Sequence, residues 1–161
     1  KELRHELHRE IVHLRRQIAQ LVDAEEIRVR QDLHRDINQL RRAIARHYGD
    51  AFGVDVSPER IVVTAGSSAA LLLVMALLLN RDEQVLLTDP GYPCNRHFVR
   101  VLEGAPVCVP VGPEESYQLS AESIGRHWTG RTRAALIASP ANPAGTMVAH
   151  EEMARIARTK P

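Results

Sequence analysis

Lysine is almost missing from this chain. Of 161 residues, 21 are lysine or arginine, yet the only lysines are Lys1 and Lys160. No primary amine is therefore available along the interior of the sequence. Net charge is also nearly missing. The 21 basic residues against 20 acidic ones leave +1, which argues against a strong binder of nucleic acid or other polyanions. Aromatic residues make up 4%, so any core must be aliphatic. The two cysteines, Cys94 and Cys108, are too few for a disulfide framework. Free thiols and a reducing compartment are expected. The longest apolar run, residues 69–79, is too short to span a membrane and is expected as a buried helix. The highly charged first residues do not resemble a signal peptide. A cytoplasmic protein is expected, with neither nucleic acid nor membrane as partner.

Glycine and proline are absent from residues 1–45. Apolar residues fall there at Leu7, Ile11, Leu14, Ile18 and Leu21, at spacings of four and three, as on one face of an amphipathic helix. The stripe lapses near Val22–Glu26, where Asp23 and Glu26 resemble a capping box that could start a second helix. A second stripe follows at Val29, Leu33, Ile37, Leu40 and Ile44. The two stripes suit a helical hairpin, or one long helix that dimerises as a coiled coil. His5, His8, His13 and His34 read as parts of a solvated helix face, and no metal site is expected.

From Tyr48 the pattern changes. Gly49 and Gly53 are expected to break the helix, and Ser57-Pro58-Glu59 to form a turn or short helical start. Strand-like runs then alternate with helix-like runs. Strands are expected at residues 61–64, 84–88, 107–109 and 134–138, and helices at 67–79, 95–103, 121–127 and 151–158. This alternation predicts an α/β fold, a mostly parallel sheet with helices on both faces, preceded by the amphipathic N-terminal helices. The domains expected are a helical segment over 1–45 and an α/β portion over 46–161. Ligands of such sheets bind at the carboxyl ends of the strands.

Three features sit at those ends. Gly66, Ser67 and Ser68 open a helix, where free N–H groups and hydroxyls could cradle a phosphate or simply cap the helix. Tyr92, within Asp89-Pro90-Gly91-Tyr92-Pro93, could stack on an aromatic ligand or pack on its own loop. Asn142 stands between Pro140 and Pro143 in Ser139-Pro140-Ala141-Asn142-Pro143-Ala144-Gly145. Proline restricts the backbone there, so its amide could be held toward a ligand, or could form a turn. Together they suit a planar, phosphorylated, heteroaromatic cofactor.

In these motifs, and in Leu40-Arg41-Arg42-Ala43-Ile44-Ala45 and Arg60–Ser68, the chain resembles the class I/II aminotransferases, fold-type I enzymes dependent on pyridoxal 5′-phosphate (PLP). The resemblance runs from about Leu40 to Arg158. It implies that Gly66, Ser67 and Ser68 bind the PLP phosphate, that Tyr92 stacks on the pyridine ring and that Asn142 hydrogen-bonds the ring hydroxyl. It implies amino-group transfer between an amino acid and a 2-oxo acid, by a homodimer or higher oligomer. Ala144 stands where the family usually has Thr. The family's pyridine-pairing Asp, Schiff-base Lys and carboxylate-binding Arg fall beyond Pro161. The expectation is thus a partial large domain truncated before the catalytic lysine and inactive alone. The alternative is a non-catalytic truncated or engineered half-domain whose N-terminal helices mediate oligomerisation. No catalytic residue is assigned within the chain.

Overall fold

The computed structural model describes the backbone of residues 2–159, and side chains from residue 12 onward within that span. Lys1, Lys160 and the side chains of His5, His8, Leu7 and Ile11 lie outside the described residues. The chain divides into two units, Lys1–Val63 and Thr64–Pro161.

The first unit is dominated by one helix, α1 (Glu2–Phe52). Of the two arrangements open from the sequence, the single long helix is present, and Asp23–Glu26 does not start a second one. No proline or glycine interrupts residues 2–48, so no backbone group there is forced out of the helical ladder. Gly49 also remains helical. The end comes at Gly53, whose φ of 65° is a conformation glycine adopts without strain. The N–H groups of Gly53 and Val54 donate to the carbonyls of Gly49 and Tyr48. The expected short start at Ser57-Pro58-Glu59 is a 3-10 turn, Pro58–Arg60, in which the Ser57 hydroxyl accepts from the Glu59 N–H.

The second unit is an α/β layer. Its elements run α2 (Ser67–Leu78), β1 (Gln84–Asp89), α3 (Cys94–Val101), β2 (Ala105–Pro110), α4 (Ala121–His127), β3 (Thr132–Ala135) and α5 (His150–Arg158). The three strands form a sheet of order β2-β1-β3, parallel at both junctions. The expected α/β fold with a parallel sheet is therefore present. One expected strand is not. Residues 61–64 pair with no strand among the described residues, and a strand exists only through its ladder. The last expected strand also shifts, from 134–138 to 132–135, although the Leu136 N–H still donates to the Leu86 carbonyl at 2.9 Å.

β1 is central. Alternation sends Leu86 to one face, where it meets Val109, Val111, Leu119 and Ile124. Val85 and Leu87 face the other way, onto Met75 and Val99. A strand buried on both faces explains why its sequence reads as an unbroken apolar run. The helix over 69–79 departs from expectation. Of its apolar residues Met75 alone is buried, while Leu77 is 85% exposed and Leu72, Leu73, Val74 and Leu78 are also exposed. One face of α2 packs in the core and the opposite face meets no other described residue closely enough to be covered.

A bulge locks β3 to β1. The register passes from Gln84–Thr132 to Val85–Ala134 and skips Arg133. The extra residue re-aims its side chain, and both Nε and Nη2 of Arg133 lie 2.7 Å from Glu83 Oε1. The other carboxylate oxygen accepts from the Asn80 backbone N–H at 2.8 Å. The Arg133 guanidinium, and after it the Asn80 N–H, hold the Glu83 carboxyl below its ordinary range.

Two predictions follow from this packing. Leu86→Ala empties a fully buried site and should lower unfolding free energy by about 2–5 kcal/mol, whereas Leu77→Ala should change it by under about 0.5 kcal/mol. Urea unfolding of both variants measures the contrast. The second concerns pH. A carboxyl whose pKa is lower in the folded chain adds stability above its unfolded pKa of about 4.3, and that stability is lost as pH falls through the folded value. The midpoint difference between the native chain and Glu83→Gln should therefore be larger at pH 7 than at pH 3. An equal difference at both would contradict this role.

Candidate cofactor-binding site

Because the strands are parallel, their carboxyl ends, Asp89, Pro110 and Ala135, lie along one edge of the sheet. Tyr92 follows β1 by three residues, and Asn142 lies in the connection from β3 to α5. β1 and β3 are neighbours, so these two loops open side by side. α2 precedes β1 and is joined to it by the short link over residues 79–83.

Gly66 is the N-cap of α2, with φ 84° and no side-chain cap. The first helical bond runs from the Ala70 N–H to the Gly66 carbonyl. The N–H groups of residues 67–69 are left without intrahelical acceptors, as at any helix start. Ser67 and Ser68 are exposed. Thr64 tightens the approach, its hydroxyl donating to the Gly66 carbonyl at 2.9 Å and its carbonyl accepting from the Gly66 N–H at 2.8 Å. No atom lies within 4 Å of where a Cβ on Gly66 would stand, so the space over these amides is open. Donors, hydroxyls and the positive end of a 12-residue helix fit an anion such as a phosphate.

Tyr92 is 40% exposed, and its carbonyl accepts from the Asn95 N–H at the start of α3. Gly91 is required beside it. A Cβ there would lie 2.5 Å from the Thr88 carbonyl oxygen, which no other residue could tolerate without moving the turn. Hydrogen bonding by the Cys94 thiol, then its charge, raises the Tyr92 phenol above its ordinary range. Cys94 is half-buried, and both it and Cys108 are unpaired.

Asn142 is exposed, and no described residue hydrogen-bonds its side chain. Its loop is held from within. The Ala141 N–H donates to the Thr146 carbonyl at 2.7 Å, and the Gly145 N–H to the Ala141 carbonyl at 2.8 Å, with Gly145 at φ 71°. Val148 N–H donates to the Ser139 hydroxyl at 3.0 Å. The residue that sequence reasoning missed is Gln118. It is buried, and its Nε2 donates to the carbonyls of Ala138 and Thr146 at 3.0 and 2.9 Å. It clamps both ends of the Asn142 loop from 20 or more residues away. Glutamine is ordinarily exposed, so only its place between apolar neighbours hinted at burial. Three surface hollows lie elsewhere, one of about 280 Å³ lined in part by Arg41 and Ser57, one of about 570 Å³ lined in part by Trp128 and Arg133, and one of about 700 Å³ lined in part by Asp36 and Leu40.

Comparison with known proteins identifies the family. The family described as aminotransferase class I and II matches residues 4–161. The valine–pyruvate aminotransferase of Mycobacterium tuberculosis is 37% identical over 113 residues, covering 70% of this chain and 29% of that protein. Among solved structures, an aminotransferase from Mycobacterium tuberculosis superposes with a TM-score of 0.70 at 37% identity, over 74% of this chain and 32% of the other. Alanine aminotransferase from Pyrococcus furiosus gives 0.69 at 31% identity, over 74% and 30%. The chain belongs to the class I and II aminotransferase family. It spans under a third of the length of these relatives.

Gln118→Ala should free the Asn142 loop. Removing a buried donor that serves two carbonyls costs about 1–3 kcal/mol. Amide hydrogen exchange at Ala141 and Gly145 should then speed up by about tenfold or more, with Val85–Leu87 much less affected. Unchanged protection of the loop would show that Gln118 does not hold it.

Proposed function

We propose that this chain is a PLP-binding portion of an aminotransferase. The intact protein would move an amino group between an amino acid and a 2-oxo acid, and these 161 residues alone would not turn over. One observation carries the reading: Tyr92 and Asn142 stand on the loops after two adjacent parallel strands. The free start of α2 at Gly66 supports it.

In this reading the N–H groups at the start of α2, with the Ser67 and Ser68 hydroxyls, bind the phosphate. Tyr92 stacks its ring on the pyridine, and the Asn142 amide donates to the ring oxygen. Bound PLP supplies the electron sink for a carbanion at the amino acid's α-carbon. The chain's own residues bind and orient the ring. No interior amine is present to move the α-proton, because the lysines are Lys1 and Lys160. This supports binding without turnover. A cytoplasmic location accords with the two unpaired thiols; among the described residues no helix is long and apolar enough to cross a membrane. The named relatives act on different amino acids, so the donor is left open. A homodimer or higher oligomer is also proposed.

PLP titration of the chain, followed by absorbance, should show saturable and reversible binding. Tyr92→Ala should weaken it about three- to tenfold, from the loss of about 0.5–1.5 kcal/mol of ring stacking. Borohydride treatment should fix no cofactor within residues 2–159. Absence of saturable binding would sink the cofactor reading. Steady production of a 2-oxo acid from an amino acid would overturn the claim of inactivity.

A further inference from the structure

The apolar pattern of α1 has a longer period than its two separate stripes suggest. Apolar pairs four residues apart recur at 7/11, 18/22, 29/33 and 40/44, and all eight positions are Leu, Ile or Val. The repeat is eleven residues. A heptad frame fails after Leu21, because Glu25 and Arg28 would occupy its next core positions. Eleven residues make three turns at about 3.67 per turn, close to the helix's own 3.6, and such a repeat drifts slowly in the right-handed sense. The stripe can therefore follow one face for the length of α1, now that α1 is known to be continuous.

Within the first unit this stripe is largely uncovered. Ile18, Val22, Val29, Leu33 and Leu40 are between 51% and 60% exposed. Over the described side chains, from Ile18 to Ile44, it extends about 39 Å at 1.5 Å per residue.

Charge selects the occupant. At 100° per residue, Glu25, Asp32 and Asp36 border the stripe on one side, and Arg15, Arg30 and Arg41 on the other; Glu26 is the exception. Parallel helices set the acidic flank of each against the basic flank of the other. Antiparallel helices set like against like. Glu25 and Asp36 of the acidic flank recur at eleven residues, as do Arg30 and Arg41 of the basic flank, so a parallel pair sets Glu25 across from the Arg30 region of the second copy and Asp36 across from its Arg41 region. We propose that α1 pairs in parallel and in register with α1 of a second copy of this chain, as a right-handed, two-stranded coiled coil. This deepens the proposed oligomer and is independent of cofactor binding.

Sedimentation of the full 161-residue chain should give about twice its 18.0 kDa. Val29→Asp with Leu33→Asp, both at exposed positions, should return it to the monomer mass with helical circular dichroism retained. Glu25→Arg alone should weaken the dimer about tenfold, and Glu25→Arg with Arg30→Glu should restore it. With Cys94→Ser and Cys108→Ser, Val22→Cys should form a disulfide-linked dimer, because a parallel in-register pair brings the two copies of that residue together. A monomeric native chain would overturn the proposal, as would a dimer indifferent to Val29→Asp/Leu33→Asp. A dimer that forms no Val22→Cys disulfide would overturn the parallel arrangement. PLP titration of the monomeric variant keeps the two readings separable: unchanged affinity leaves the cofactor site standing whichever way the mass falls.

Discussion

The fold of the second unit depends on β1. Its three central residues are buried on both faces, Leu86 against one apolar cluster and Val85 and Leu87 against the other. Its two edges are filled by β2 and β3. A parallel neighbour cannot be reached by a tight turn, so each return must cross over the sheet. α3 and α4 lie on those returns. The same parallel pairing aligns the strands' carboxyl ends, and the candidate site stands there. The Arg133 bulge adds a lock at the amino end, where Glu83 ties the strand pair to the end of the link from α2.

What this edge can recognise depends on how its loops are held. The Pro140 and Pro143 rings limit the backbone beside Asn142, but they do not fix the loop relative to the sheet. Gln118 does that, by joining Ala138 just past β3 to Thr146 on the far side of the loop. The Tyr92 turn uses steric exclusion instead, since Gly91 lies against Thr88 where a side chain would collide. The Gly66 turn has open space above its amides. The closed positions stiffen the frame, and the open one leaves room for a ligand.

Local pattern made much of this legible in the sequence. Short apolar runs and the helices between them disclosed the parallel sheet, and Gly66–Ser68, Tyr92 and Asn142 could be named because each sits in a local motif. Nonlocal facts were hidden. The extended residues 61–64 have strand composition, yet a strand depends on a neighbour that composition does not reveal. Asp23 and Glu26 carry the letters of a capping box, but a cap needs a break in the helix, and nothing there forces one. Gln118 gave no sign of its clamping role because its partners are 20 and 28 residues away.

Two apolar surfaces are left uncovered, and they differ in kind. The α1 stripe is periodic, one side chain pair wide and bordered by opposite charges. A single helix of the same sequence can cover it while the rest of α1 stays in water. α2 is different. Its run from Ala69 to Leu78 has no polar residue, so it has no face suited to solvent. A helix apolar on all sides is stable only when surrounded, and one partner helix would still leave Leu77 or its neighbours wet. Pairing through α1 can therefore satisfy the first unit and leave the demand of α2 unmet. Self-association by α1 and completion of the layer around α2 are separate physical problems.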